Sequence, residues 1–372
     1  MWAILLAALV IATADAQPPA RWRLVEEWRV GGEPDGPHSF TDVRGLGVLG
    51  DGRIVVLDAK DQQVHFLSAS GKPLVTVGRK GAGPGEFQRA NGLAVSPKGE
   101  IVINDPSTNR LTMLSASGAL LRTIPIRNPW GWGYLWDAYF NARGLLDEYV
   151  SIQRAGESTV EARRVWSADF ATIDTAMPRR CPEEPRRDPS DYRYSFRNER
   201  GGMTMSIPHA APRLPTVRGP DGAAWSGRAP TYNRVSRIRA GECAADVTIE
   251  LPGPAIPIPG AMRDSAVALV QRNAAKYGAP TPDLSKIPRS FTYYDALFLD
   301  PVQRLWVERP TAGERRRFEV YSTAGALLAH VETSVILSAY RPVAWTRDRI
   351  FGFVADADDV LHLVALRIQT QP

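Results

Sequence analysis

Residues 77–126 read VGRKGAGPGEFQRANGLAVSPKGEIVINDPSTNRLTMLSASGALLRTIPI, and this stretch decides the fold. A glycine-rich loop, Gly81 to Phe87, leads into a short apolar run, Gly92-Leu93-Ala94-Val95. A turn at Pro97-Lys98-Gly99 follows, then Ile101-Val102-Ile103 and a polar turn from Asn104 to Asn109. Leu111 to Leu114, a turn at Ser117-Gly118 and a last run from Leu120 to Ile124 complete the unit. Four short strands joined by tight turns within about 40–50 residues is the pattern of one propeller blade.

Working outward, the turn between the first two strands recurs. It falls at Asp51-Gly52, Lys98-Gly99 and Arg143-Gly144, 47 and then 45 residues apart, and again at Asp221-Gly222, with weaker equivalents at Gln303-Arg304 and Arg347-Asp348. The two long gaps place insertions at about 177–211 and 252–290. The first is rich in Pro, Arg and Asp, without sustained periodicity. In the second, Ala261 to Tyr277 carries Ala266, Val267, Leu269, Val270 and Ala274 at helical spacing, with Gly278 as a stop. The third turn repeats almost verbatim as Leu67-Ser68-Ala69-Ser70-Gly71 and Leu114-Ser115-Ala116-Ser117-Gly118, and Ser322-Thr323-Ala324-Gly325 echoes it. The last unit runs out of chain one strand short, while Arg23 to Val30 is a spare strand before the first unit. Pairing the two covers the exposed sheet edges. The expectation is an all-β, six-bladed β-propeller over residues 22–368, closed by its N-terminal strand, with two insertions between blades.

Composition agrees. The 372 residues include 30 Pro and 31 Gly, which suits many turns, and 44% hydrophobic residues, ample for a core. The formal net charge is +5, carried almost wholly by arginine; the lysines are Lys60, Lys72, Lys80, Lys98, Lys276 and Lys286. Charge of that size spread over the chain does not by itself point to nucleic acid. Trp2 to Ala12 is apolar and Ala14-Asp15-Ala16 has the form of a cleavage site, so residues 1–16 read as a signal peptide. The expectation is a periplasmic or secreted monomer with no membrane span after cleavage. Cys181 and Cys243, the only cysteines, are then expected to form a disulfide.

Unit two resembles the NHL repeat in Gly81 to Phe87, Asn91 to Val95, Gly99-Glu100-Ile101 and Asn109-Arg110-Leu111. Unit one matches more loosely, and the others keep only the strand rhythm. The resemblance implies a six-bladed propeller and says little of activity, because propellers host unrelated functions.

Propeller ligands meet the ends of the innermost strands. Residues at that position, with their neighbours, give a candidate ligand ring of Arg44, Asn91, Trp136, Arg213, Tyr294, Asp295, Tyr340 and Arg341. Such a ring suits an anionic or sugar-like ligand. Propeller hydrolases hold channel calcium through oxygen ligands; here Asn91, Asp137 and Asp295 are the candidates, fewer than calcium needs. A similar-fold lyase uses histidine-bound zinc. Of the five histidines, His38, His65, His209, His330 and His362, none lies in a local ligand motif. No Gly-x-Ser-x-Gly elbow is present. The arginines of the first insertion interleave with Tyr192, Tyr194 and Phe196 but are offset by acids, so nucleic acid is not expected as a partner. The tryptophans from Trp130 to Trp136 offer a stacking platform or a packing contact. The reading is a non-catalytic exported propeller without a cofactor that binds a protein, peptide or glycan at the channel mouth and insertion face. The alternative is a lactonase-like hydrolase or a lyase with channel calcium or zinc.

Overall fold

The computed structural model describes residues 18–32, 39–126, 135–152, 160–177, 193–199, 201–228, 232–312, 315–338 and 341–370. The first strand, β1 (Ala20–Gly31), precedes six blades. Blade one is β2 (Val43–Val48), β3 (Ile54–Asp58), β4 (Gln63–Leu67) and β5 (Pro73–Val77); blade two is β6 (Gly92–Val95), β7 (Ile101–Asp105), β8 (Arg110–Leu114) and β9 (Leu120–Pro125). Blade three is β10 (Ala138–Phe140), β11 (Leu146–Ile152), β12 (Val160–Trp166) and β13 (Ile173–Ala176). The first insertion contributes the hairpin β14 (Arg193–Asn198) and β15 (Gly201–Ser206). Blade four is β16 (Thr216–Arg218), β17 (Ala224–Gly227), β18 (Arg234–Ile238) and β19 (Ala245–Glu250), and the second insertion holds α1 (Gly260–Lys276). Blade five is β20 (Ala296–Leu299), β21 (Leu305–Arg309), β22 (Arg316–Tyr321) and β23 (Leu327–Thr333); blade six opens with β24 (Ala344–Trp345), β25 (Arg349–Ala355) and β26 (Leu361–Thr370).

Every blade is an antiparallel meander. In blade six, β1 pairs antiparallel with β26 as the outermost strand, and its start runs parallel to β23 of blade five. Trp22 and Leu24 carry this seam into the core formed with Trp306, Val331 and Leu366. Burial acts against the charge of Glu27, also on β1, but hydrogen bonds from Arg349 and Arg367 outweigh it and hold the carboxyl below its usual range.

The innermost strands follow one another around a ring. β24, β2, β6 and β10 are successive neighbours, as are β16 and β20. Arg218 of β16 reaches Asp137 beside β10, and Phe298 of β20 packs on Trp345 of β24, which completes the circuit. Close approach here needs small residues. A Cβ on Gly92 would lie 2.6 Å from that of Trp136, and one on Gly227 would lie 2.5 Å from the Tyr294 hydroxyl. Apolar clusters fill most junctions: Phe40, Leu46 and Phe353 between blades six and one, Phe66, Phe87 and Ile103 between one and two, and Trp225, Leu297 and Tyr321 between four and five. Between blades three and four, Arg218 bridges Asp137 and Glu161 over the Tyr149 ring, 3.9 Å away.

The two insertions pack on each other. The alternating Tyr194 and Phe196 of β14 face Ala266, Val270 and Ala274 of α1, with Ile207 and Ile287 closing a small core. The Tyr194 hydroxyl donates to the Asp283 carbonyl at 2.6 Å. The hairpin corrects the expectation of an unpatterned first insertion: Tyr194-x-Phe196 and Met203-x-Met205 alternate with period two and pair across the Gly201 turn. Cys243 is disulfide-bonded; Cys181 lies outside the described residues.

Candidate site at the channel entrance

The ring has one face where the chain enters each innermost strand and where the second and third strands of each blade turn. Two buried carboxylates shape its blade-one and blade-two sector. Asp58, at the end of β3, accepts from the amides of Thr41 (2.7 Å) and Lys60 (2.9 Å). Asp105, at the end of β7, accepts from Gln88 (2.7 Å) and Ser107 (3.0 Å). Both are fully buried. Each binds the incoming loop to the hairpin turn beside it, so the entrance loops are held by the scaffold. Sequence reasoning missed this pair, although the parallel between Ile54-Val55-Val56-Leu57-Asp58 and Ile101-Val102-Ile103-Asn104-Asp105 was visible in it.

The expected ligand ring divides. Arg44 and Arg341 converge on Asp42, donating to Oδ1 at 2.8 and 3.1 Å. Arg213 and Asp295 also meet, at 3.1 Å, and the second branch of Arg213 donates to Glu308 at 2.6 Å. Burial pushes the Glu308 carboxyl up, against the pull of Arg213 and of Arg316, whose guanidinium lies 3.0 Å away. Tyr340 lies outside the described residues, as do Trp130 and Trp132.

Three ring members bond to the scaffold, though Asn91 also lines a hollow at the entrance. Tyr294 is fully enclosed; its hydroxyl donates to the Pro215 carbonyl at 2.8 Å and accepts from the Gly227 amide at 2.9 Å. It pins blade four to blade five and faces no ligand space. Asn91 is buried and accepts from Asn104 Nδ2 at 2.7 Å. Trp136 turns its indole N–H onto Glu148 at 2.8 Å, sharing that carboxylate with Trp166 and Arg164. All three lie just before their inner strands, and which way such loop residues turn is set by tertiary contacts that the sequence does not show.

The oxygen set Asn91, Asp137 and Asp295 does not converge, since each is engaged by its own partner: Asn104, Arg218 and Arg213. Asp137 keeps 54% of its side-chain surface accessible, yet the protein around it pushes its carboxyl up against the pull of Arg218. His209 stands edge-on to Phe291 at 5.6 Å, and burial lowers its imidazole pKa despite nearby Asp295. His65 meets Thr76 and His362 meets Asp356, each within its own blade. Among the described residues no group of three or more His, Cys, Asp or Glu is arranged to hold a metal ion.

The entrance is open in more than one place, and a hollow of about 520 Å³ beside Arg341, Thr41 and Leu361 lies between blades six and one. Between blades one and two lies a hollow of about 350 Å³ lined by Arg44, Lys60, Lys80, Gln88, Arg89 and Asn91 with Asp42. A second, of about 430 Å³, shares Lys80, Gln88 and Arg89 and extends to Ser107.

Comparison with known proteins agrees with this architecture. The sequence pattern of a family described as a 6-bladed beta-propeller matches residues 42–126. The chain is a six-bladed β-propeller. No curated protein matches its sequence. Similar solved structures include a member of the DUF4221 family from Bacteroides vulgatus, 10% identical with a TM-score of 0.50, covering 95% of this chain and 100% of that one. A candidate exported protein from Bacteroides fragilis is 12% identical with a TM-score of 0.49, over 95% and 98% of the two chains. Virginiamycin B lyase from Staphylococcus aureus is 13% identical with a TM-score of 0.47, over 93% and 99%. At these identities the likeness concerns fold alone. No helix among the described residues is long and apolar enough to cross a membrane.

Proposed function

We propose that this propeller is an exported, non-catalytic binding protein that takes a protein, peptide or glycan ligand at its channel entrance, with the packed insertions as one wall. One observation carries the reading. The entrance carboxylates are committed to arginine: Asp42 to Arg44 and Arg341, Asp137 to Arg218, and Asp295 and Glu308 to Arg213. A carboxylate so held has its charge balanced and part of its acceptor capacity taken, which disfavours a role as calcium ligand or general base. Export is supported by the disulfide at Cys243, since such bonds persist in oxidising compartments.

The test is elemental analysis of purified protein, with thermal unfolding in and out of chelator. The expected result is no stoichiometric metal and an unchanged midpoint. Calcium or zinc at one per chain, lost in Asp295→Ala, would instead establish the hydrolase or lyase reading.

A further inference from the structure

We infer that the hollow between blades one and two, the part of the entrance opposite the insertions, is a binding site for an acidic peptide segment; this rests on the binding reading and specifies the ligand of that part. The first ground is uncompensated charge. It belongs to Lys60 and Lys80, which line the two adjoining hollows with Arg44 and Arg89; the one acid among the lining residues, Asp42, is already engaged by Arg44 and Arg341. Among the described residues neither Lys60 nor Lys80 has an ion-pair partner or a side-chain hydrogen bond. Elsewhere on this face, arginines stand against carboxylates. Gathering unbalanced cations in one concavity works against folding and focuses positive potential outward, which attracts anions.

The second ground is construction. The Lys60 amide is held by Asp58, and the Arg89 amide by Asp105 at 3.2 Å. Lys80 sits in a β-bridge with Phe87, which is fully buried. Gln62, also buried, accepts the Ala90 amide at 3.1 Å and closes the floor between the two loops. The backbone carrying all three of these cations is therefore fixed before any ligand arrives, and a preformed site loses less on binding.

The lining selects the ligand class. Its apolar members are only Ala59 and Ala90, with Gly81 in the outer part. A glycan ring finds no aromatic face to stack on. A nucleic-acid strand finds no platform for its bases. An apolar peptide finds no anchor pocket. What remains is charge with polar amide and hydroxyl groups, Gln88 and Ser107, in two adjoining hollows. Flexible carboxylates on an extended chain match ammonium groups presented in such hollows.

The experiment is fluorescence anisotropy of a fluorescein-labelled octapeptide of alternating Asp and Glu on the full, metal-free protein, at about 50 and about 150 mM salt. Saturable binding that weakens with salt is expected, reduced at least tenfold in Lys60→Glu/Lys80→Glu. The control is Arg21→Glu/Arg315→Glu, in the separate basic groove of about 640 Å³ along β1 and β23, which is expected to bind as the parent does. Unchanged thermal midpoints show that the variants fold. Absence of saturable binding, or equal loss in both double variants, overturns the assignment. So does tighter binding, with the same Lys60/Lys80 dependence, of a sulfated oligosaccharide or a single-stranded oligonucleotide. None of these results touches the parent reading, which fails only if the protein carries a stoichiometric metal.

Discussion

The two halves of the entrance use charge in opposite ways. Around blades three to five, arginines and carboxylates neutralise one another at short range: Arg213 between Asp295 and Glu308, Arg218 between Asp137 and Glu161. The insertions stand on this side, where His209 approaches Asp295 and Arg213 leads into β16. Around blades one and two no insertion intervenes, the loops are tied down by buried Asp58 and Asp105, and Lys60 and Lys80 stand without an ion-pair partner among the described residues. On one half charge holds blades together. On the other it faces outward on a rigid frame, which is what a binding surface requires.

Substitutions sharpen this contrast, and the largest effect belongs to the paired half. Arg213→Met removes one cation from a carboxylate that is 95% enclosed; it is expected to cost about 3 kcal/mol in urea unfolding. Adding Glu308→Gln should restore part of that loss, because the buried charge is then gone. A smaller effect is expected in the insertion core. Val270→Ala deletes two fully buried methyl groups from the face shared with β14, worth about 1.5 kcal/mol. Limited proteolysis between residues 193 and 211 should quicken about tenfold, while the unfolding midpoint of the blades holds.

Acid should loosen the same insertion. Burial lowers the His209 pKa, so below its unfolded value of about 6.5 the unfolded segment takes up a proton that the folded one resists. Stability is fully present above that pH and declines as pH falls toward the depressed folded value. Proteolysis at pH 7.5 and 5.5 should show the difference, and His209→Phe should abolish it. The smallest stability change is expected on the open half. Lys60→Ala and Lys80→Ala should each stay within about 0.5 kcal/mol of the parent in urea. A loss as large as that of Arg213→Met would mean that these lysines hold the fold together, and the contrast between the halves would collapse.

Much of the ring was readable because blades one and two repeat their local chemistry. Ser68 and Ser115 both accept the amide four residues on, at 3.1 Å, and that turn recurs in the chain as Ser-Ala-Ser-Gly. Helix α1 was legible from spacing, though Leu269, counted with its apolar residues, is 40% exposed. The hairpin β14–β15 was overlooked because its period shows only in two short runs, Tyr194-x-Phe196 and Met203-x-Met205, set in a stretch dominated by Pro, Arg and Asp. Peptide mapping under non-reducing conditions is expected to return Cys181 and Cys243 as one linked fragment.

By itself, the order of residues determined the strand rhythm, the number of units and the location of both insertions, because turns and alternation are local. It also named Arg44, Arg213, Asp295 and Arg341 as entrance residues, since strand position follows from the repeat. Only the tertiary structure decided which of them are spent on one another. That Arg213 meets Asp295 and Glu308, or that Lys60 and Lys80 line one hollow whose acid is taken by arginine, depends on side chains 20 to 95 residues apart in the chain. Direction and pairing are set by how neighbouring blades close against each other, and no local pattern encodes that.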